Sequence, residues 1–382
     1  MLREPAVVIY CDRLLPNSET FVRSQAETLQ QFIPYYVGSR RVPGLSLPEE
    51  RTLVLNQGGL LGRTSEVSYK LCGFAPAFFG RIRKLNPAFI HAHFGVNGVM
   101  VLPIVQDLAV PLIVTFHGYD ATVKDEYVRR SGNTHRVYLR RKELLKHEGR
   151  LFIAVSEFIK NKLLDQGFPL DKIVVHYIGV DTENFQPDLS VQRDPIVLFV
   201  GRLVEKKGCE YLIRAMSQVQ AVMSDVELVI VGDGPLRSDL EGLAAKKLRR
   251  YKFLGEQPLH IVKSWMNQAQ VLAAPSVTAS TGDSEGLPTV LIEAQAMGLP
   301  VVSSFHAGIP ELVIHEKTGF LVAERNCEGL AKYILLLLED VNLRHCLTQA
   351  GQNRVQTLFN LQKQTRALEE IYKQILGEKG NT

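Results

Sequence analysis

The chain has 382 residues, 46% of them hydrophobic and 22% charged, which is the composition of a globular protein long enough for two domains. Its net charge is only +4, and no basic stripe alternates with aromatic residues, which argues against a nucleic-acid-binding protein. The five cysteines are scattered without metal-ligand spacing and indicate buried thiols in a reducing compartment. No segment approaches the ~18 apolar residues of a membrane span, so we expect a cytoplasmic protein.

Short apolar segments alternate with helical patterns through the first half of the chain. A strand at 5–10 is followed by the loop 11–19 and by a helix that Asn17 or Ser18 caps. Further strands are predicted at 33–37, 52–55, 88–92, 111–116, 151–155 and 172–177. This alternation predicts a parallel sheet with helices on both faces, and such sheets bind ligands beyond the carboxyl ends of their strands.

A polar segment with two prolines then interrupts the pattern, and a second series of strands follows. The predicted strands of this second sheet are 196–200, 227–231, 252–254, 271–274, 301–303 and 319–322. We therefore predict an α/β protein with a first domain at 1–181, a linker at 182–195, a second domain at 196–360 and a helix at 361–382. The final helix is expected to pack back on the first domain.

The stretch 275–298 combines a glycine-containing polar loop with the start of a helix. Pro288 suits the first helical position because it lacks the N–H that is unsatisfied there, and Gly298 marks the helix end. Amides at such a start lie at the positive end of the helix dipole, where phosphate binds without a metal. Three amides qualify: those of Gly286, Leu287 and Thr289.

Two glutamates flank these amides, Glu285 before the helix and Glu293 within it. Each can accept hydrogen bonds from hydroxyl groups on one side of a bound phosphate. A nucleotide diphosphate sugar has this order of groups, with sugar, diphosphate and ribose in sequence. The alternative is that Glu293 is a solvated helix residue and Glu285 a partner of the helix dipole.

A glycine turn with basic residues follows the first strand of the second half. Gly201 and Arg202, with Lys207 shortly after, place cations beside a phosphate, which arginine grips through two hydrogen bonds and lysine as a point charge. The alternative is an ordinary strand–helix loop with solvated lysines. The chain has no Asp-x-Asp pair, so we expect phosphate to be stabilised without a metal.

Histidines mark two strand ends of the first half. His117 can donate to a sugar hydroxyl when neutral or ease a departing phosphate when charged, although a histidine there is often structural. His91 and His93 point to the same face of a strand, a spacing that metal sites also use, but no cysteine or carboxylate partner is evident. The basic excess of the first half, notably 136–150, predicts contact with an anionic membrane or, alternatively, a solvated helix face.

Together these features resemble the retaining glycosyltransferases of family 4, which have the GT-B fold of two Rossmann-like domains facing each other across a cleft. The segment from Glu285 to Glu293 resembles the family's E-x7-E motif. Other matching segments are 201–203 with 207–208, 228–235, 253–255, 307–311 and 317–320. Segments 15–21 and 278–285 are similar to the exopolysaccharide and colanic-acid branch.

The resemblance implies a donor site in the second domain and an acceptor site in the first. It implies donor contacts at Glu19, Thr20, Gly201, Arg202, Lys207, Leu254, Glu285, Gly286, Leu287, Pro288, Thr289 and Glu293. Catalytic roles are implied for His117, Glu285, Arg202 and Lys207. The loop at Glu19 and Thr20 departs from the glycine-rich first loop of many relatives, which affects donor contacts there and the acceptor site.

The implied reaction is transfer of a hexosyl group from a nucleotide sugar to a growing polysaccharide or lipid-linked glycan, with retention at the anomeric carbon. The resemblance favours a UDP-sugar such as UDP-glucose, and no metal or other cofactor is expected. We expect a cytoplasmic protein, with peripheral contact to the inner face of the membrane through its basic first half. Three alternatives remain open: a GDP-sugar-dependent mannosyl or fucosyl transferase, a nucleotide-sugar 2-epimerase and a non-catalytic nucleotide-sugar-binding protein.

Overall fold

The computed structural model describes residues 4–130 and 132–377, which form two compact units. The first unit comprises the chain up to residue 179 and the segment from 361 onward, and the second comprises residues 180–360. Each unit is built on its own parallel sheet. Within the described ranges, no helix combines the length and the apolar character needed to cross a bilayer.

The sheet of the first unit has eight strands, all paired in parallel. They are β1 (Ala6–Tyr10), β2 (Arg13–Leu14), β3 (Ile33–Arg41), β4 (Thr52–Asn56), β5 (Pro87–His93), β6 (Leu112–Phe116), β7 (Leu151–Ala154) and β8 (Ile173–Val175). Their order is β2-β3-β1-β5-β6-β7-β8, and β4 pairs with β3. Helices cover both faces, and the central strands therefore consist of buried, mostly apolar runs.

Eight helices of this unit connect the strands: α1 (Thr20–Glu27), α2 (Gly59–Cys72), α3 (Pro76–Arg83), α4 (Gly95–Leu108), α5 (Tyr119–Thr122), α6 (Asp125–Val128), α7 (Asn133–Glu148) and α8 (Glu157–Asp165). The first of them begins later than predicted. Residues Asn17–Glu19 form a short 3-10 turn, in which the Glu19 amide donates to the Pro16 carbonyl. Glu19 therefore occupies the N-cap of α1, and neither Asn17 nor Ser18 caps it.

The second unit has a six-stranded parallel sheet: β9 (Asp194–Val200), β10 (Glu227–Val231), β11 (Tyr251–Phe253), β12 (Ala269–Ala274), β13 (Val301–Ser304) and β14 (Phe320–Val322). Its helices are α9 (Cys209–Val222), α10 (Arg237–Lys247), α11 (Leu259–Gln268), α12 (Thr289–Ala296), α13 (Ile309–Leu312), α14 (Cys327–Glu339) and α15 (Val341–Leu358). The strand order β11-β10-β9-β12-β13-β14 is that of the Rossmann fold. Successive strands are added on one side of β9 up to β11 and on its other side from β12 onward, so the strand order reverses between β9 and β12. The loops after these two strands therefore flank the crevice in which such sheets bind ligands.

Residues 182–195, predicted as a linker, lie within the second unit. The Arg193 guanidinium donates to four backbone carbonyls, those of Met266, Ala269, Met297 and Gly298, at 2.6–3.1 Å. The strand that we expected at 196 starts at Asp194. This segment is held by these hydrogen bonds and by one buried aromatic side chain, Phe185, without a periodic apolar face, which explains why its sequence pattern resembles that of a linker.

The last helix, α16 (Leu361–Gly377), belongs to the first unit. The ring of Tyr372 packs against Phe89 and Phe32 at centroid distances of 4.6 and 5.2 Å. The buried Glu369 carboxylate accepts hydrogen bonds from the amides of Gln30 and Gln31. We predicted a helix at 361–382, of which residues 378–382 lie outside the described residues.

Candidate functional site

Two glycines allow the loops at the carboxyl ends of β9, β10 and β12 to approach closely. Gly208 has a φ of +65°, and a Cβ there would lie 1.9 Å from the carbonyl oxygen of Pro275. Gly232 has a φ of +137°, and its Cβ would lie 2.0 Å from the carbonyl oxygen of Gly201. Only glycine fits both positions, so these residues fix the geometry in which the three loops meet.

A buried ion pair joins two of these loops. Lys207 Nζ lies 2.6 Å from Glu285 Oε1, which also accepts a hydrogen bond from the Ser276 hydroxyl at 3.2 Å. Burial alone would raise the pKa of Glu285, but the charges of Lys207 and Lys206 outweigh it and lower this pKa to about 2. Glu285 is therefore an anion at any physiological pH, held beside a cation.

His306, which we did not predict as a site residue, supports the backbone of Glu285. Its Nε2 accepts the Glu285 amide hydrogen at 3.2 Å, and its Nδ1 lies 2.6 Å from Glu324 Oε1. Accepting at Nε2 requires a neutral imidazole whose proton is on Nδ1. The residue immediately precedes the 307–311 motif, which was the available sequence signal.

Further polar contacts fix the loop between β12 and α12. Lys206 Nζ lies 2.9 Å from Asp283 Oδ1, and Glu205 accepts hydrogen bonds from the amide and the hydroxyl of Ser280. The amide and hydroxyl of Thr278 both donate to Glu324 at 3.0 Å. Charged side chains thus hold a loop whose own sequence is small and polar.

Pro288 lies at the N-cap of α12, one residue before the first helical position that we predicted for it. Its ψ of 109° is extended, and the helix therefore begins at Thr289. Gly286 and Leu287 are buried, and neither amide donates to an acceptor in the part of the chain that the structure describes. Two unsatisfied donors at a helix start, beside Lys207, form a site suited to an anion.

Glu293 lies one helical turn beyond Thr289, and its pKa is shifted in the opposite direction from that of Glu285. Burial raises its pKa to about 7, although the Thr289 hydroxyl and the Lys207 charge both act to lower it. The two carboxylates at this helix start therefore have opposite pKa shifts. One is a permanent anion, and the other is poised to gain or lose a proton near neutral pH.

Arg202 and Leu254 complete the predicted positions in the second unit. Arg202 is exposed, and among residues 4–130 and 132–377 it has no ion-pair partner. Leu254 follows β11 and is half-buried, with its amide donating to the Ile230 carbonyl and its carbonyl accepting from the Gln257 side chain at 2.6 Å. The structure thus brings Gly201 and Lys207 together with Glu285, and it leaves Arg202 free for a ligand.

His117, Glu19 and Thr20 lie in the first unit, where three imidazole rings stack at the ends of β5 and β6. The ring centroids of His91 and His93 are 4.4 Å apart, those of His93 and His117 are 5.3 Å apart, and His93 Nδ1 lies 3.1 Å from His117 Nε2. Burial lowers the pKa of all three well below the usual range, so the rings are neutral. His117 Nδ1 is buried without a partner in the described residues.

His91 is a structural residue in this stack. Its Nδ1 lies 2.6 Å from the hydroxyl of Tyr372 and its Nε2 lies 2.7 Å from the hydroxyl of Thr115. Both ring nitrogens are occupied by protein hydrogen bonds. The His-x-His spacing is therefore explained by packing, with the C-terminal helix as one partner.

Glu19, like His117, is one of several groups of the first unit that have a buried polar atom without a partner. Its Oε2 has no hydrogen-bond partner among the described residues. Burial raises its pKa to about 7, and Arg13 acts in the opposite direction. Thr20, the first residue of α1, is exposed. Glu19 and His117 therefore each present one buried polar atom that the protein itself does not satisfy.

Asp120, which the sequence analysis did not single out as a site residue, holds the backbone around His117. Its carboxylate accepts hydrogen bonds from the amides of Gly95, His117 and Gly118 at 2.8–3.1 Å. Burial raises the pKa of Asp120, and the three amides offset part of that rise.

Replacing Asp120 by alanine is expected to lower the free energy of unfolding by about 2–4 kcal/mol, because three buried amides lose their acceptor. Asp120→Asn, which keeps one acceptor oxygen, is expected to cost less, and alanine at the exposed Glu126 close to nothing. Urea unfolding of the three variants measures these differences. Equal unfolding midpoints for Asp120→Ala and Glu126→Ala would contradict the assignment.

Comparison with known proteins identifies the family. The model for glycosyl transferases group 1 matches residues 180–354, and the model for Glycosyltransferase Family 4 matches residues 18–184. The amylovoran biosynthesis glycosyltransferase AmsK of Erwinia amylovora is 31% identical over 322 residues, which are 82% of this chain and 77% of the relative. The putative colanic acid biosynthesis glycosyltransferase WcaL of Escherichia coli is 31% identical over 290 residues, which are 73% of this chain and 69% of the relative.

The fold comparison agrees. The crystal structure of HepE from Anabaena, in complex with UDP and glucose, superposes with a TM-score of 0.77 at 21% sequence identity and covers 96% of this chain and 99% of HepE. At this identity the likeness shows the fold, and it confirms the prediction of two Rossmann-like units of the GT-B class. The protein therefore belongs to glycosyltransferase family 4.

Proposed function

We propose that the protein transfers a hexosyl group from a nucleotide sugar to a saccharide acceptor in exopolysaccharide biosynthesis, with retention at the anomeric carbon. The observation that carries this proposal is the Lys207–Glu285 pair, 2.6 Å apart, beside the unsatisfied amides of Gly286 and Leu287. A cation, an anion and a helix start in one crevice match a sugar linked to a diphosphate. The biosynthetic role of AmsK supports the exopolysaccharide context.

The donor diphosphate is assigned to the helix start, with Lys207 and Arg202 as its cations. An ammonium group has three donors, so Lys207 can bond to Glu285 and a phosphate oxygen at once. The amides and the helix dipole stabilise the negative charge that develops on the departing diphosphate. No metal is required for this arrangement, because the cations and amides supply the stabilisation.

The sugar is assigned to Glu285 and the ribose to Glu293. Glu285 is ionised and accepts hydrogen bonds from sugar hydroxyls through its free oxygen. Within the first unit, the neutral His117 has an unsatisfied Nδ1 that a saccharide hydroxyl would satisfy. None of these groups is assigned as a nucleophile. The acceptor hydroxyl attacks from the face that the diphosphate leaves, and the leaving phosphate takes up the acceptor proton. This route retains the anomeric configuration.

The acceptor, a growing polysaccharide or a lipid-linked glycan, is assigned to the first unit. The buried, unsatisfied oxygen of Glu19 marks a polar position that a saccharide hydroxyl would satisfy. UDP-glucose is our preferred donor, by resemblance to the family and because HepE was crystallised with UDP and glucose. Backbone groups around Leu254 would bind the base.

Calorimetric titration with UDP, GDP and ADP, each with and without a chelator, tests the donor assignment. We expect one nucleotide, UDP, to bind, with an affinity that the chelator leaves unchanged. Alanine at the exposed Lys252, which pairs with Glu227 in the same unit, serves as a matched control for loss of a lysine and should bind like the parent. If only GDP binds, the donor is a GDP-sugar and not a UDP-sugar. If the folded protein binds none of the three nucleotides, the proposal is refuted.

A further inference from the structure

Phe94, which follows β5, has a backbone conformation that residues with a side chain rarely adopt. Its φ is +72° and its ψ is 136°, which places it outside the left-handed helical region. Among the non-glycine residues with positive φ in the described ranges, it is the only one with an aromatic ring. Such a conformation is strained for a bulky residue, and strain of this kind is found mainly at functional sites.

Hydrogen bonds of the backbone hold Phe94 in this conformation. Its amide donates to the Thr115 carbonyl at 2.8 Å, and its carbonyl accepts from the Gly98 amide at 3.0 Å. The next amide along the chain, that of Gly95, donates to Asp120 Oδ2 at 2.8 Å. Because the peptide groups on both sides are fixed, the strain remains at Phe94.

The ring of Phe94 packs against the imidazole of His117. The two centroids are 4.7 Å apart, and the planes are tilted by 48°. The same imidazole contacts the ring of Phe21 at 4.8 Å and that of His93 at 5.3 Å. Three rings of the first unit therefore surround His117.

Hydrogen bonds do not by themselves fix the orientation of the His117 imidazole. Its Nε2 lies 3.1 Å from His93 Nδ1, but its own Nδ1 has no partner in the part of the chain that the structure describes. One hydrogen bond between neutral rings is a weak constraint on rotation about the Cβ–Cγ bond, which has a broad energy profile in histidine. The packing of Phe94 and Phe21 restricts this rotation and keeps Nδ1 in one place.

We propose that Phe94 is a positioning residue, which holds the His117 imidazole so that Nδ1 meets a saccharide hydroxyl. Glycine at this position would relieve the strained backbone, but it would also leave one side of the imidazole without a packing partner. The ring thus has a role that offsets the strain. The inference rests on the proposed function, because it takes the ligand of His117 to be a saccharide.

Thermal unfolding of two variants tests the strain at Phe94. Phe94→Gly and Phe94→Ala both remove the ring, but only glycine adopts a φ of +72° without a steric penalty. Glycine normally makes a protein less stable than alanine does, because it raises the entropy of the unfolded chain. We expect the reverse here, with a Tm for Phe94→Gly about 2–4 °C above that of Phe94→Ala. A lower Tm for Phe94→Gly would show that the parent stores no strain there.

Nuclear magnetic resonance of the histidine ring nitrogens tests the positioning. The full chain is labelled with ¹⁵N-histidine, and His117→Asn identifies the signals of His117. We expect the same sharp signals in the parent and in Phe94→Tyr, which keeps the ring, and shifted, broadened signals in Phe94→Gly and Phe94→Ala. Phe74→Ala, which removes a phenylalanine that is 65% exposed in the same unit, should leave the signals unchanged. Parental His117 signals in Phe94→Ala would overturn the proposal.

Release of UDP from UDP-glucose, with glucose as the acceptor probe, measures the effect on the reaction. We expect Phe94→Gly to lower kcat about tenfold and to leave the KM for UDP-glucose unchanged, because the assigned nucleotide contacts lie in the second unit. Phe94→Tyr should retain the parental kcat. Equal kcat values for Phe94→Gly and the parent would contradict the positioning role. Failure of the parent to bind UDP would instead refute the donor assignment, and the ring signals would still decide whether Phe94 orients His117.

Discussion

Lys207→Ala is expected to abolish detectable nucleotide binding and to lower the free energy of unfolding by about 3 kcal/mol. The stability loss follows because Glu285, whose side chain is 7% exposed, would remain as a buried anion without its cation. The pKa of Glu285, now about 2, would rise, since Lys207 is the largest of the charges that lower it. Calorimetry and urea unfolding at neutral pH measure the two effects.

Arg202→Ala separates binding from stability. Arg202 is exposed and has no ion-pair partner in the described chain, so its loss should weaken nucleotide binding by at least about tenfold and leave the unfolding midpoint unchanged. Lys252→Ala should alter neither quantity by more than a few tenths of a kcal/mol. If Lys207→Ala binds the nucleotide with the affinity of the parent, the assignment of the diphosphate to this crevice is wrong.

The predicted strand ends account for much of the site. Apolar runs followed by glycine turns located the ends of β9 and β12, and the family resemblance then singled out Lys207 and Glu285. Their direct ion pair was not predicted, because it depends on β9 lying beside β12 in the sheet. Strand order at a switch point is a property of the three-dimensional connection, and local periodicity does not encode it.

The supporting residues were less predictable for the same reason. His306, which follows β13, accepts a hydrogen bond from the Glu285 amide. Asp120 accepts hydrogen bonds from amides of two different segments, those of Gly95 and His117. A single histidine or aspartate in a loop has many roles, and only its partners distinguish them. The pairing of His91 with Tyr372 joins residues 281 positions apart, and no short sequence pattern relates them.

Residues 182–195 form part of the second unit, although their polar composition had led us to predict a linker. Polar composition indicates a linker only where no distant residue binds the segment. Arg193 finds four carbonyls contributed by distant parts of the second unit. A polar segment with prolines is therefore held in the second unit by a half-buried arginine and by the buried ring of Phe185. Burial lowers the pKa of Arg193 to about 10, so the guanidinium remains charged at neutral pH.

Glu293→Gln is expected to stabilise the protein at pH 8 while it weakens nucleotide binding. The pKa of Glu293 is raised from 4.5 to about 7 in the folded protein, chiefly by burial. Between these values the folded state binds more protons than the unfolded state, so stability falls as pH rises and the loss is complete above about pH 7. Glutamine carries no charge that burial would penalise. We therefore expect Glu293→Gln to raise the free energy of unfolding by about 1–2 kcal/mol at pH 8 and to leave it unchanged near pH 4.

Nucleotide binding should show the opposite dependence on this group. Ribose hydroxyls donate to an ionised carboxylate better than to a protonated one, so parental affinity should rise from pH 6 to pH 8, with release of a proton on binding. Glu293→Gln should bind about tenfold more weakly at pH 8 and lose this pH dependence. Glu285, with a pKa of about 2, contributes no titration in this range. Calorimetry in buffers of different ionisation enthalpy counts the released proton, and a parent that releases none would place the ribose away from Glu293.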